Sequence, residues 1–251
     1  MDRHFDCTAC GKCCRGWLPL TLGDALTHAG RFPLAVVWTP VKRTSRDHGI
    51  ATRLGFVPKL RDRGRLAVRI VPTVYVPPSF PCPALRPDAL CALHADKPSR
   101  CRTMPFYPYR EEADQAEHLV PRAGWACNVS PGARPVYRDR KILDREDFDR
   151  ERAALLDQVP LLRAYGEWMM KMVPGMEDNL LQAARKPGGG HVVVGFGSLL
   201  RRLADVDKAG IASAQHGLLA DLAARTADQP ALAEYHRQYD NWAWEMDRLR
   251  S

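Results

Sequence analysis

With 251 residues, 45% of them hydrophobic, the chain is long enough to build a real core, as one large domain or two small ones. It contains no run of about 20 apolar residues, which argues against a membrane-spanning helix. Asp2, Arg3, Asp6 and several cysteines stand where a signal peptide would need an apolar stretch, so the expectation is a cytoplasmic protein with no membrane partner. The formal net charge is +8, and it sits in the first half: residues 1–100 hold 16 Lys/Arg against 7 Asp/Glu. A basic half is often a nucleic-acid footprint. Here a different account is favoured, because four thiolates around a divalent ion carry about −2 and need cationic neighbours. Nucleic acid is therefore not the expected partner.

The chain opens on its densest chemistry, Cys7-Thr8-Ala9-Cys10-Gly11-Lys12-Cys13-Cys14. Two cysteines separated by two residues can turn back onto one ion, with glycine relieving the tight backbone. That spacing occurs twice in succession, and Cys14 adds a further sulfur. The side chains of adjacent cysteines diverge, so Cys13 and Cys14 imply either two centres or one centre of several metals. In a reducing compartment these thiols read as ligands, not as a disulfide frame.

After the cluster, Thr21 or Asp24 caps a short helix through Leu26 and His28. Val36-Val37-Trp38 reads as a strand. Arg61 to Arg65 reads as a hairpin turn. Leu66 to Val76, rich in β-branched residues, reads as a second strand that Pro72 confines to an edge or breaks. Pro77 to Pro108 is too rich in proline for long helices and carries Cys82, Cys91 and Cys101. The acidic run at Glu111, Glu112, Asp114 and Glu117 reads as a solvated turn or helix face, and Cys127 is the last thiol.

Beyond about residue 140 the pattern becomes helical. Asp144 caps a helix over Arg145 to Val159, and Pro160 starts another that Pro174-Gly175 stops. A short helix over Glu177 to Arg185 follows, then a joint at 186–190 and a short strand at His191 to Val194. Gly195-Phe196-Gly197-Ser198 leads into a helix over Leu199 to Ala204. It lacks the third glycine of a dinucleotide fingerprint and the lysine of a P-loop, so it reads as a tight strand-to-helix turn and not a phosphate cradle. Two further helices span about Ala209–Ala227 and Pro230–Arg250. The second bears an aromatic stripe (Tyr235, Tyr239, Trp242, Trp244, with Met246) that reads as core or a partner-helix surface.

The middle cysteines stand in a distinctive order: Cys82-Pro83-Ala84-Leu85, then Cys91-Ala92-Leu93-His94, then Lys97-Pro98-Ser99-Arg100-Cys101-Arg102-Thr103-Met104-Pro105-Phe106. With the opening cluster this resembles the YkgJ-like cysteine-cluster family, described as a zinc- or iron-chelating domain. Its pattern runs CxxCxxCC and later C-x-[IL]-[YH]-x-x-[RK]-P-x-x-C-R-x-x-P-[FY]. The resemblance covers about residues 5–133. His94 stands where the family commonly has Tyr, and Lys97 where it commonly has Arg; neither removes a thiol. By this resemblance Cys7, Cys10, Cys13, Cys14, Cys82, Cys91 and Cys101 are ligands, and Cys127 carries over less directly. The resemblance also implies the labels attached to such proteins, iron–sulfur oxidoreductase among them, and a kinship with the cysteine-cluster region of flagellin lysine N-methylases.

The metal stays open between an iron–sulfur cluster, slightly preferred, and zinc, since thiolates suit both. Cys-x-x-Cys-Gly looks like a zinc knuckle; Cys-x-x-Cys-x-x-Cys with a remote fourth cysteine near proline looks like a cubane site. His94 and His4 are further candidates for the metal's surroundings. Arg100 and Arg102, flanking Cys101, either balance thiolate charge or face solvent. No catalytic triad or carboxylate pair can be defended from spacing. The expected fold is α+β: a loop-rich, metal-stapled domain over residues 1–135, then a mainly helical region over 136–251. The expected function is metal binding, either in a redox or protein-modifying enzyme with a protein or peptide partner, in a structural zinc interaction module, or in a metal carrier or sensor.

Overall fold

Leu34 to Val41 reads Leu-Ala-Val-Val-Trp-Thr-Pro-Val, almost unbroken apolar sequence. A strand that is apolar on both faces must be covered on both. That requirement sets the architecture in the computed structural model of the chain, which describes residues 2–61 and 66–250. In chain order the strands are β1 (Arg3–His4), β2 (Leu18–Pro19), β3 (Leu34–Lys42), β4 (Leu66–Val74), β5 (Pro135–Arg138), β6 (Lys141–Ile142) and β7 (Val192–Gly195). The α-helices are α1 (Leu22–Thr27), α2 (His48–Leu54), α3 (Ser99–Arg102), α4 (Glu146–Asp157), α5 (Val159–Met172), α6 (Met176–Arg185), α7 (Phe196–Leu200), α8 (Lys208–Thr226) and α9 (Ala233–Asp247), with a 3₁₀ segment at Glu112–Leu119. The chain is mixed helix and sheet, as expected.

The larger sheet is antiparallel in the order β2-β4-β3-β7. Because side chains alternate across a strand, Leu34, Val36 and Trp38 share one face with their cross-strand partners Val74, Pro72 and Ile70, and Val37 and Val41 share the other with Val71 and Ala67. The first face meets the C-terminal helices. Trp38, fully buried, packs at 5.6 Å from the Tyr165 ring of α5, and Phe196, Leu199, Leu219, Tyr239 and Met246 belong to the same core. The second face meets α2, Tyr109 and Leu155 of α4. The largest core thus draws on both halves of the sequence, and β7 from the second half extends a sheet built in the first.

Gln215 of α8 fixes how the helices sit on the sheet. Wholly buried, its amide oxygen accepts from the backbone N–H of Leu34 and its NH₂ donates to the carbonyls of Ala29 and Phe32. All three groups lie at the start of β3, where a buried backbone would otherwise go unpaired.

Several boundaries differ from the sequence expectation. The β3 strand is longer than Val36–Trp38, and β4 ends at Val74. The turn expected at Arg61–Arg65 lies largely outside the described residues. Pro72 was expected at an edge or a break, yet β4 lies inside the sheet. The reason is local: β2 pairs only with Val74 and Thr73, and the Pro72 carbonyl faces that side, accepting from Leu20 N–H at 2.8 Å. In a strand a residue's nitrogen and carbonyl point the same way, so the missing N–H costs no bond with β3. The Gly195–Ser198 turn starts α7 at Phe196 and not at Leu199. Carboxylate atoms of Glu245 lie where a Cβ on Gly195 or Gly197 would stand, at 2.5 and 2.7 Å, so the turn is closed by an acidic side chain and unsuited to phosphate. The aromatic stripe divides: Tyr239, Trp242 and Met246 are buried, while Trp244 is 62% exposed.

Helix α5 approaches the sheet closely because residue 166 is glycine. A Cβ there would stand 2.8 Å from Ile70 Cδ1 and 3.0 Å from Phe56. Gly166→Ala is therefore expected to destabilise the protein by about 1–3 kcal/mol despite alanine's better helix propensity, read as a lowered urea midpoint at unchanged slope.

Candidate metal centre

The antiparallel pairing of β2 with β4 sends the chain before Leu18 and the chain after Val74 away from the same end of the sheet. The two segments stay paired beyond the regular strands. Gly16 N–H bonds Phe80 O at 3.4 Å, Arg15 bridges Pro81, and Cys82 N–H bonds Cys14 O at 2.9 Å. In that register Cys14 lies opposite Cys82. A second bridge, Leu85 with Cys91, folds the following turn back and brings Cys91 alongside.

The other end of the cluster is held by different partners. The β1 strand pairs with β5 in the small sheet β1-β5-β6, and, past the intervening residues 129–133, a separate bridge joins Asp6 and Asn128, bonded both ways at 2.8 and 3.0 Å. One step further in that register, Cys7 lies opposite Cys127. Thr8 Oγ1 donates to Ala126 O at 2.9 Å.

The backbone also reaches the sulfurs. Ala9 N–H points at Cys7 Sγ at 3.4 Å. Ala9 and Gly11 take left-handed backbone, at φ 53° and 68°, in the tight loop between Cys7 and Cys13. Amide donors aimed at sulfur stabilise thiolate, and hydrogen bonds to ligating sulfurs are how a protein tunes a thiolate-bound metal.

The thiols differ in their proton affinity. Backbone bonds from Ala126 and Lys12 lower Cys10. Cys13 and Cys14 stand 4.0 Å apart, sulfur to sulfur, and their hydrogen bond raises Cys13 and lowers Cys14, as expected of a donor and its acceptor. Burial raises Cys82 and Cys127, and pushes the Cys101 thiol up to about 12. The charges of Cys82, Cys101 and Cys91 act on Cys14, whereas those of Cys10, Cys7 and Cys13 act on Cys127. All eight cysteines are free. Among the described residues, no three His, Cys, Asp or Glu side chains close about one point as ion ligands. The thiols are gathered by backbone pairing into neighbourhoods, and an all-sulfur donor set is chemically suited to a soft metal.

Arg100 and Arg102 divide the two expected roles, Arg102 being exposed and Arg100 acting on Cys101, and each does more besides. Arg102 donates to the carbonyls of Lys97 and Ala95 and so pins the loop before α3. Arg100 turns inward, bonds Phe106 O and faces Glu151 of α4 at 3.4 Å, both side chains under 5% exposed. Its charge also favours thiolate at Cys101. Sequence reading missed Glu151, which sits in a charged run. The signal was its phase: it lies three residues after Phe148 and four before Leu155, both buried. The acidic run is likewise not simply solvated, since Glu111, Glu112 and Glu117 pair with Arg53, Arg145 and Arg46. His94 is exposed, and His4 bonds Ala133 O at 2.7 Å. Two open hollows, of about 480 and 310 Å³, lie between α8 and α9 and beside α4; neither is lined by a cysteine.

Compared with family models, with curated proteins and with solved structures, the chain matches none. The site is therefore read from its own residues.

In the reduced protein without added metal, iodoacetamide at pH 8 is expected to label Cys10 at least about tenfold faster than Cys101, because the thiolate is the nucleophile, backbone donors lower Cys10 and burial keeps Cys101 protonated. Peptide mass spectrometry over time reads the order; equal rates would contradict it. Glu151→Ala, which leaves Arg100 buried and unpaired, is expected to cost about 3–5 kcal/mol in urea unfolding, while Arg100→Met with Glu151→Leu costs clearly less.

Proposed function

We propose that this protein binds metal through its cysteine cluster, as an iron–sulfur cluster or zinc, with Cys7, Cys10, Cys13, Cys14, Cys82, Cys91, Cys101 and Cys127 as the ligands. The observation that carries the proposal is the gathering of cysteines distant in sequence by two backbone seams, Cys82 N–H to Cys14 O at 2.9 Å and the Asp6–Asn128 bridge beside Cys7 and Cys127. The long ordered resemblance to the YkgJ-like family supports the same reading.

The chain's part in this chemistry is to hold and orient sulfur. The two antiparallel seams bring Cys14 opposite Cys82 and Cys7 opposite Cys127, backbone donors from Ala126 and Lys12 favour thiolate at Cys10, and Arg100 adds a buried positive charge beside Cys101. A bound metal would cross-link proline-rich loops that lack packing of their own, and iron–sulfur would add electron transfer.

Metal analysis and an absorption spectrum on anaerobically purified protein test the proposal. Iron with sulfide and a broad band near ~400 nm identifies a cluster. About two zinc ions per chain without colour identifies closed thiolate sites. In either case a strong chelator is expected to increase protease cleavage within residues 75–108. Protein that carries no metal, and takes up neither iron with sulfide nor zinc, would sink the proposal.

A further inference from the structure

The cluster from Cys7 to Cys14 is suspended between two scaffolds, and the thiols sort with them. At its start the backbone is stitched to residues 126–137: Asp6 bridges Asn128, Thr8 bonds Ala126, and β1 pairs with β5. At its end it is stitched to residues 80–82, with Cys14 bonded to Cys82 and Arg15 bridging Pro81. The Leu85–Cys91 bridge adds Cys91 to the second group. Cys101 joins it through α3, whose first N–H, from Ser99, bonds Asp24 of α1 at 3.0 Å, just beyond β2. The two groups also lean on different cores. Cys82 and Cys91 pack against the main core, and Cys127 against the smaller one around Phe5, Phe106 and Tyr137.

We infer that the thiols form two separate four-thiolate centres, an outer one of Cys7, Cys10, Cys13 and Cys127 and an inner one of Cys14, Cys82, Cys91 and Cys101. This rests on the metal-binding reading above and adds the division of ligands. The Cys7, Cys10, Cys13 spacing assigns Cys13 outward, and the backbone bond to Cys82 assigns Cys14 inward. Contrary to the divergence expected of neighbouring side chains, the two sulfurs stand 4.0 Å apart, so this pair marks the place where the two groups meet. Four thiolates close each centre, the number that suits one tetrahedral zinc or one cubane cluster. The centres are unequal in access: Cys7 and Cys13 are exposed, whereas every inner thiol is half-buried. The outer centre is therefore the one that exchanges metal with solution, and the inner one retains it.

Three variants and one kinetic measurement test the division. Cys127→Ser, Cys91→Ser and the double variant are purified anaerobically with zinc supplied, and metal per chain is measured against the parent protein. Each single variant is expected to keep about half of the parent's metal and the double variant almost none. Loss of all metal from either single variant would mean one shared centre and overturn the division, and so would a single variant that kept the parent's full content. The parent protein provides the second readout and needs no variant to fold. Chelation followed by alkylation is expected to run in two phases, with Cys7, Cys10, Cys13 and Cys127 labelled in the first and Cys14, Cys82, Cys91 and Cys101 in the second. Simultaneous labelling of all eight overturns the division while leaving metal binding in place. A parent protein that holds no metal removes the metal-binding reading itself, and the division with it.

Discussion

Everything at the N-terminus depends on backbone pairing at the two ends of one short loop. Residues 7–14 have little packing of their own: Cys7 and Cys13 are exposed, and no helix or regular strand runs through the segment. What places them is a pair of isolated backbone bridges that resume antiparallel pairing, in a new register, beyond the regular strands. β-Pairing is directional and registered, so a bridge at Asp6–Asn128 or Arg15–Pro81 fixes which side chains face one another for several residues on. Cysteines far apart in sequence become neighbours without any helix carrying them.

The seam at Cys14 extends from the larger sheet, which is packed on both sides. Both faces of β3 and β4 are covered, one by C-terminal helices and the other by α2, α4 and Tyr109. Gln215 supplies the hydrogen bonds that the start of β3 lacks, and Arg100 with Glu151 ties the Cys101 helix to α4. The helical second half thus acts on the cysteines at a distance. It touches few of them, but it fixes the sheet and the α3 segment from which they are displayed. A buried charge pair is a costly way to do this, since desolvation offsets most of the attraction. Its effect is positional: each partner has one place in which it is tolerable.

Much of this was legible in the sequence where a single local signal decides. Thr21 caps α1, Pro160 opens α5, and the alternating or continuous apolar runs mark β3, β4 and β7. The thiols declared themselves by spacing. What could not be read was whatever depends on a partner distant in sequence. Pro72 reads as an edge signal, and only the two-residue length of β2 explains why an interior strand tolerates it. Glu151 reads as solvated until Arg100, 51 positions earlier, is seen to face it. The neighbourhoods of Cys7 and Cys14 are likewise invisible from the cluster itself, because spacing within eight residues says nothing of which remote strand each end will meet.

The wide sequence separation of the two seams has a consequence for synthesis. The chain emerges N-terminus first, and domains begin to form as their partners arrive. The segment that meets Cys14 ends near residue 101, whereas the segment that meets Cys7 does not begin until Ala126. For that interval one end of the loop has its strand partner and the other is free. The strand at Val192–Gly195 arrives later still, so β3 presents an open edge until about 150 further residues have been made.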